Sequence, residues 1–125
     1  MSFRLEREKT ELTPYVLIDE DKGYMRLEGE SYHENVVEYF RELNEWLGSF
    51  LKKDFASFTF DCELKYFNSS TVKLLLNMLL AMDKSPCSEK VTVNWVADLS
   101  NKIIIECGED FQEDLENLTF NLVTR

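Results

Sequence analysis

Residue types on which most enzyme and metal sites depend are scarce in this chain. Its 125 residues include one histidine, His33, together with four glycines and three cysteines. A lone histidine supports neither a catalytic triad nor a histidine metal site by itself, and the scattered glycines form no phosphate-binding loop. No nucleophile-elbow, HExxH, P-loop or dinucleotide-binding motif occurs. We therefore predict that the protein is not an enzyme and holds no metal or cofactor.

Positive charge is also in short supply. Lys and Arg number 14 against 24 Asp and Glu, so the formal net charge is −10. An acidic surface repels nucleic-acid phosphates and anionic lipids, which argues against both as partners. The longest apolar stretch, residues 72–82, is too short to span a bilayer. The polar N-terminus and three cysteines without CxxC spacing favour a reducing compartment, so the predicted location is the cytoplasm.

Hydrophobic periodicity predicts one α/β domain over residues 14–125, after a flexible lead-in over residues 1–13. Period-two alternation and β-branched runs predict an N-terminal hairpin and later strands, about five in all. Three- and four-residue spacing predicts three main helices, the first of about five turns and opened by a Ser31–Glu34 capping box. Strands that alternate with helices call for right-handed crossovers, so we expect a mixed central sheet. The predicted strands cover 15–18, 24–29, 58–64, 91–96 and 118–123, and the helices cover 36–51, 72–84 and 101–113.

A cluster of hydroxyls stands where the third predicted strand gives way to an apolar helix. In Asn68-Ser69-Ser70-Thr71 the side chains can cap the unpaired N–H groups of the first helical turn. The same N–H groups and the positive helix end also stabilise a phosphate group. Phosphoserine would add about −1.5 to −2 charges, enough to weaken a packed interface by repulsion and desolvation. Capping and a phosphorylation switch both remain open on these residues alone.

Three segments together resemble the SiaC family of bacterial regulatory phosphoproteins. The first is Tyr66-Phe67-Asn68-Ser69-Ser70-Thr71-Val72-Lys73, which is similar to that family's phosphoacceptor segment. The second is Gly29-Glu30-Ser31-Tyr32-His33-Glu34-Asn35, in which His33 replaces the usual proline. The third is Asp110-Phe111-Gln112-Glu113-Asp114, and the three occur in the family's order.

The resemblance implies a non-enzymatic, partner-switching regulator with a STAS-like fold. It implies phosphorylation of Ser69 by a Ser/Thr kinase of the SiaB type and its reversal by a PP2C-type phosphatase. The unphosphorylated form is then expected to bind and activate a diguanylate cyclase, which raises cyclic di-GMP and favours biofilm. The resemblance assigns Tyr66, Phe67, Asn68, Ser70, Thr71 and Lys73 to the phosphoacceptor loop and helix start, and Ser31, Tyr32, Glu34 and Asn35 to a partner surface.

Two other functions are compatible with the sequence. A STAS-type anti-sigma-factor antagonist would share the fold and act on transcription instead. A small-molecule sensor or unknown enzyme would need a pocket, for which Trp46, Tyr66 and Trp95 are the candidate lining residues. Periodic aromatic residues are more often ordinary core residues, and that is the favoured interpretation of these three.

Overall fold

A six-stranded mixed sheet forms the centre of the protein. The computed structural model describes residues 2–125. The strands are β1 (Arg4–Arg7), β2 (Tyr15–Asp19), β3 (Tyr24–Ser31), β4 (Phe58–Phe67), β5 (Val91–Ala97) and β6 (Thr119–Thr124). They lie side by side in sequence order. Strands β1, β2 and β3 pair antiparallel, whereas β3, β4, β5 and β6 are parallel to one another.

Helices supply the connections between the parallel strands. They are α1 (Val36–Tyr39), α2 (Arg41–Phe50), α3 (Ser69–Asp83) and α4 (Lys102–Asp114), with one 3-10 turn at Ser88–Lys90. Parallel neighbours taken in sequence order through right-handed crossovers place all of these helices on one face of the sheet. Burial agrees, because along β3 every second residue is buried and the residues between are half-buried.

Aromatic side chains fill the space between the sheet and the helices. Trp95 of β5 lies edge-on to Phe111 of α4, with ring centroids 5.3 Å apart. On the other side of the core, Trp46 of α2 stacks on Phe50 at 4.9 Å and lies 6.0 Å from Phe58 of β4. Close-packed contacts of this kind supply most of the stability of a domain of this size.

Polar side chains cover the opposite face of the sheet and bond to one another from strand to strand. The Tyr24 hydroxyl donates to Asp61 at 2.6 Å, Asn94 donates to the same carboxylate at 2.7 Å, and Asn121 donates to Asn94 at 3.0 Å. Arg26 forms ion pairs with Glu28 and Glu63, which are on the same face. This face is therefore stabilised by a hydrogen-bonded ladder and not by a second layer of helices.

The predicted α/β class and mixed sheet are confirmed, with six strands instead of about five and four helices instead of three. Sequence patterning assigns residues 1–13 to a flexible lead-in, whereas Arg4–Arg7 form the edge strand β1. Phe3 from this segment stacks on Trp46 at 5.9 Å, and Arg7 donates to the Tyr39 carbonyl at 2.9 Å. Met1 lies outside the described residues. Two apolar residues in a charged segment are too short a pattern to predict a strand.

The prediction of the first long helix is wrong in two respects. The capping-box prediction fails because Ser31 is the last residue of β3, and the helix cap is Asn35, which accepts from the Glu38 N–H at 3.2 Å. The helix is also interrupted at Phe40, whose φ of −95° and ψ of 7° separate α1 from α2. Spacing alone cannot distinguish a strand end followed by a short loop from a helix start.

A glycine in α4 packs tightly against Trp95 of the sheet. An added Cβ on Gly108 would lie 2.5 Å from Cδ1 of Trp95, which is buried and bonded to the Ile104 carbonyl. We expect Gly108→Ala to lower the free energy of unfolding by about 1.5 kcal/mol, because the overpacking exceeds the gain in helix propensity. Gly48→Ala is the matched control, since a Cβ there meets nothing within 4 Å. It should stabilise the protein slightly in urea denaturation, and a similar gain in Gly108→Ala would contradict the packing argument.

Candidate functional site

Two of the three motifs that carry the resemblance, residues 29–35 and 66–73, meet at one edge of the sheet. Strands β3 and β4 are parallel neighbours, and Ser31 at the end of β3 lies opposite Phe67 at the end of β4. The segments that follow, residues 32–35 and 68–73, therefore leave the sheet side by side. We call this edge, where the parallel strands end and the helices begin, the carboxyl edge.

Asparagine caps start three helices at the carboxyl edge. Asn35, Asn68 and Asn101 follow β3, β4 and β5, and each side-chain oxygen accepts a backbone N–H from the first turn of α1, α3 or α4. In α3 the Asn68 carboxamide accepts from the Thr71 N–H at 2.9 Å. The N–H groups of Ser69 and Ser70 point out of the same turn without an acceptor inside the helix. The sequence pattern predicted helix starts near residues 68 and 101. It also placed the first helix over residues 36–51 but took Ser31, and not Asn35, as the cap.

The three hydroxyls of the α3 turn differ in accessibility. Ser69 and Ser70 are exposed to solvent, whereas Thr71 is fully buried. The Thr71 hydroxyl lies 2.9 Å from Oδ1 of Asn68 and 2.9 Å from Oγ of Ser31. An enzyme could reach Ser69 or Ser70 in this conformation, but Thr71 is held inside the fold.

Ser31 does not lie on the surface, where the resemblance places it. It is 1 % exposed, and its hydroxyl bonds to Thr71 beneath the helix start. The next residue, Tyr32, is exposed and stacks on the exposed ring of Tyr66, with centroids 6.3 Å apart. We call these two rings the tyrosine shelf. Phe67, by contrast, turns into the core and packs against Trp95 at 6.1 Å.

The remaining predicted site residues lie around the shelf and the helix start. Glu34 and Asn35 are exposed in the loop after β3, where Nδ1 of His33 accepts from the Asn35 N–H at 3.0 Å. Lys73 is exposed one turn after Ser69, on the same side of α3.

Exposed apolar side chains gather at the carboxyl edge. Within residues 2–125 the large exposed hydrophobic residues are Leu12, Tyr32, Val37, Tyr66, Leu99, Ile103 and Val123. Each one follows or ends a strand that points toward this edge, including Leu12, whose carbonyl accepts from the Tyr32 N–H at 2.7 Å. Sequence reasoning missed most of them, although two signals of exposed apolar residues were present. Leu99 lies in a polar turn, and Ile103 belongs to an apolar run beside buried Ile104.

An apolar groove runs from this edge between α2 and α3. Its volume is about 440 Å³. Ser70 and Lys73 form part of its wall near the helix start, and Leu74, Met78 and Leu47 line it further along. The groove thus opens next to the hydroxyl turn.

The aromatic pocket considered for a sensor or enzyme is not formed. Trp46 packs with Phe3, Phe50 and Phe58 in one part of the core, Trp95 packs with Phe111 in another, and Tyr66 lies on the surface. The favoured interpretation of the two tryptophans as core residues agrees with this placement. Burial also raises the pKa of the Cys107 thiol to about 11, which disfavours a reactive thiolate.

Neither a metal-ligand cluster nor a membrane-spanning helix occurs in the described part of the chain. No group of three or more His, Cys, Asp or Glu side chains could hold a metal ion there. None of the helices in that part combines the length and apolar character needed to cross a bilayer.

These features define a mixed-sheet α/β domain whose candidate site is a helix start on an exposed, partly apolar edge. Residues 7–125 match the model for the SiaC family regulatory phosphoprotein. The chain belongs to the SiaC family of regulatory phosphoproteins, and the resemblance predicted from its motifs is confirmed.

Solved structures and one curated protein show the same relationship. The structure of SiaC of Pseudomonas aeruginosa has a TM-score of 0.88 at 26% identity and covers 99% of this chain and 100% of its own. SiaC in the crystal structure of the diguanylate cyclase SiaD in complex with its activator SiaC, also from P. aeruginosa, has a TM-score of 0.88 at 27% identity over 97% of this chain and 99% of its own. An uncharacterized protein of P. aeruginosa strain UCBPP-PA14 is 29% identical over 106 residues, 84% of each chain.

Proposed function

We propose that this protein is a partner switch that binds and activates a diguanylate cyclase while Ser69 is unphosphorylated and releases it when Ser69 is phosphorylated. Family membership supports a regulatory phosphoprotein, and the related SiaC is described as an activator in complex with the cyclase SiaD. The observation on which the proposal chiefly depends is the position of Ser69. Its exposed hydroxyl stands at the start of α3, on the edge where the exposed apolar side chains gather.

The exposed apolar surface and the Ser69 hydroxyl beside it suit reversible docking of a partner protein. The tyrosine shelf, Val37 and Ile103 would be buried by a partner, and burial of apolar surface contributes about 25 cal/mol per Å². A phosphate on Ser69 would put nearly two negative charges in that contact, and a docked partner would have to dehydrate them. The free N–H groups of the α3 turn stabilise the phosphate in the unbound protein, so modification favours the released state.

The proposed cycle needs two enzymes and one target. A SiaB-type Ser/Thr kinase adds the phosphate, a PP2C-type phosphatase removes it, and the cyclase responds with more cyclic di-GMP when the unmodified form is bound. All of these steps would take place in the cytoplasm and would favour biofilm growth. The protein itself would catalyse no reaction in this cycle.

Phosphorylation of the purified protein by a SiaB-type kinase with Mg-ATP tests the proposal. We expect intact-mass spectrometry to show one added phosphate and peptide mapping to place it on Ser69. The Ser69→Ala variant should remain unmodified, whereas Ser70→Ala should be modified like the wild type. No phosphate on Ser69, including the case of a phosphate on Ser70 alone, would contradict the proposal. Recovery of an anti-sigma factor and no cyclase in a pulldown would instead favour the anti-sigma-factor-antagonist function.

A further inference from the structure

A pair of buried hydroxyls connects the two halves of the candidate site. Ser31 and Thr71 lie 40 positions apart in the sequence, and their side-chain oxygens are 2.9 Å apart. Ser31 is 1 % exposed and Thr71 is 0 % exposed, so no solvent competes for this bond. A neutral polar pair contributes little net stability when it replaces two bonds to water. An apolar pair would fill the same space, so stability alone does not explain the two hydroxyls.

The pair belongs to a closed network around Asn68. The Ser31 carbonyl accepts from the Asn68 N–H at 3.2 Å and lies 3.3 Å from the Thr71 hydroxyl. The Thr71 hydroxyl is 2.9 Å from the Asn68 side-chain oxygen, which also caps the helix. Each hydroxyl has one proton and more than one acceptor site, so Ser31 can donate to Thr71 while Thr71 donates to Asn68 or to the Ser31 carbonyl. The network joins the last residue of β3 to the first turn of α3 through directional bonds.

Directional bonds fix distance and orientation in a way that apolar contact does not. Ser31 is followed at once by Tyr32 of the tyrosine shelf, and Thr71 stands two residues after Ser69. Any slip of the α3 turn along the end of β3 would change the position of Ser69 relative to the shelf. Neither Ser31 nor Thr71 can touch a kinase or a docked protein itself, because both are buried.

We infer that Ser31 and Thr71 are positioning residues, which hold Ser69 and the tyrosine shelf in one fixed arrangement that the kinase recognises. This inference depends on the proposed function of Ser69 for its consequence, but its structural part does not. The network leads to a specific prediction about the solvent exchange of three backbone amides, those of Tyr32, Asn68 and Thr71. They should be protected from solvent exchange by the hydroxyl pair and not only by the packing around it.

Three variants separate hydrogen bonding from packing. Thr71→Val keeps the shape of the side chain and removes its hydroxyl, which leaves the Ser31 hydroxyl buried without its partner. Ser31→Ala combined with Thr71→Val removes both hydroxyls, and this should restore thermal stability because no buried polar group is then left unpaired. Thr71→Ser is the matched control, since it loses a methyl group and keeps the bond.

Amide hydrogen exchange measured by NMR on the unphosphorylated protein gives the first test. We expect exchange at Tyr32, Asn68 and Thr71 to be at least tenfold faster in Thr71→Val and in the double variant, and close to wild type in Thr71→Ser. Unchanged exchange in Thr71→Val would overturn the inference. Recovery of slow exchange in the double variant would also overturn it, because the cause would then be the unpaired Ser31 hydroxyl.

The initial rate of phosphorylation by a SiaB-type kinase gives the second test. We expect at least a fivefold decrease for Thr71→Val and for the double variant, with Thr71→Ser near the wild-type rate. Faster exchange with no change in this rate would overturn the positioning role. If the wild-type protein takes no phosphate at all, the proposed function fails, and the exchange experiment still decides whether the hydroxyl pair orders the carboxyl edge.

Discussion

Replacing Asp83 with alanine is expected to lower the free energy of unfolding by about 3 kcal/mol. Asp83 ends α3 and is 5 % exposed, and its carboxylate accepts the backbone N–H groups of Glu116, Asn117 and Leu118 at 2.7 to 3.2 Å. These bonds hold the connection between α4 and β6 against the end of α3. Without the carboxylate, these three N–H groups in a partly buried loop lose their ionised acceptor. The loss is large because hydrogen bonds to charged groups are stronger than those between neutral groups. Urea denaturation at neutral pH measures the loss.

The pH dependence of this effect has a definite sign. Burial by itself raises the pKa of the Asp83 carboxyl, but the three N–H groups outweigh burial and hold that pKa below its usual value. The stabilisation is therefore complete above the pKa of the unfolded chain, about 4, and is lost as pH falls through the lower folded-state pKa. The difference between wild type and Asp83→Ala should therefore stay constant from about pH 7 to about pH 5 and shrink as the pH falls below about 4.

A charge at an exposed position of α4 provides the control for Asp83. Asp110→Ala removes a carboxylate from the surface and should change the unfolding free energy by less than about 0.5 kcal/mol at neutral pH. Equal effects of Asp83→Ala and Asp110→Ala would show that the three-donor cluster does not stabilise the loop. The same conclusion would follow if the Asp83→Ala difference were independent of pH.

Placing a negative charge at Ser69 is expected to weaken binding of a SiaD-type diguanylate cyclase by at least tenfold, or about 1.4 kcal/mol. The Ser69→Asp side chain would stand beside the tyrosine shelf, where docking would dehydrate it. Its effect on folding should be small, because Ser69 is exposed and a carboxylate in the first helical turn is favourable. Titration of the cyclase by calorimetry, together with a thermal melt, separates the two effects.

Ser57→Asp controls for the added charge alone. Ser57 is exposed just before β4, at the edge of the sheet opposite Ser69. The Ser57→Asp substitution makes the same change in net charge and should leave cyclase binding within twofold of wild type. If both variants weakened binding equally, general repulsion would explain the result. If Ser69→Asp bound as tightly as wild type, the docking surface would lie elsewhere.

Much of the architecture was predictable because its signals are local. The hairpin of β2 and β3, the strands β4 and β5 and the helix α3 each carry the expected period over five or more residues. The strand β1 was missed because its four residues carry too little pattern of their own. It is a strand because it pairs with β2 at the edge of the sheet. Ser31 was placed in a helix cap for a similar reason, since Ser-x-x-Glu occurs by chance and only the pairing of β3 with β4 shows that the strand continues through it.

The sequence by itself determined most of the strands and helices, though not β1 or the helix break at Phe40, and its three motifs were enough to indicate the family. Local spacing carries that information, because the periods of 2 and 3.6 residues are properties of the backbone. Only the tertiary structure decided which of three adjacent hydroxyls lie on the surface. Ser69, Ser70 and Thr71 are chemically alike, and it is the end of β3, 40 residues before Thr71 in the chain, that buries Thr71 and leaves the other two exposed.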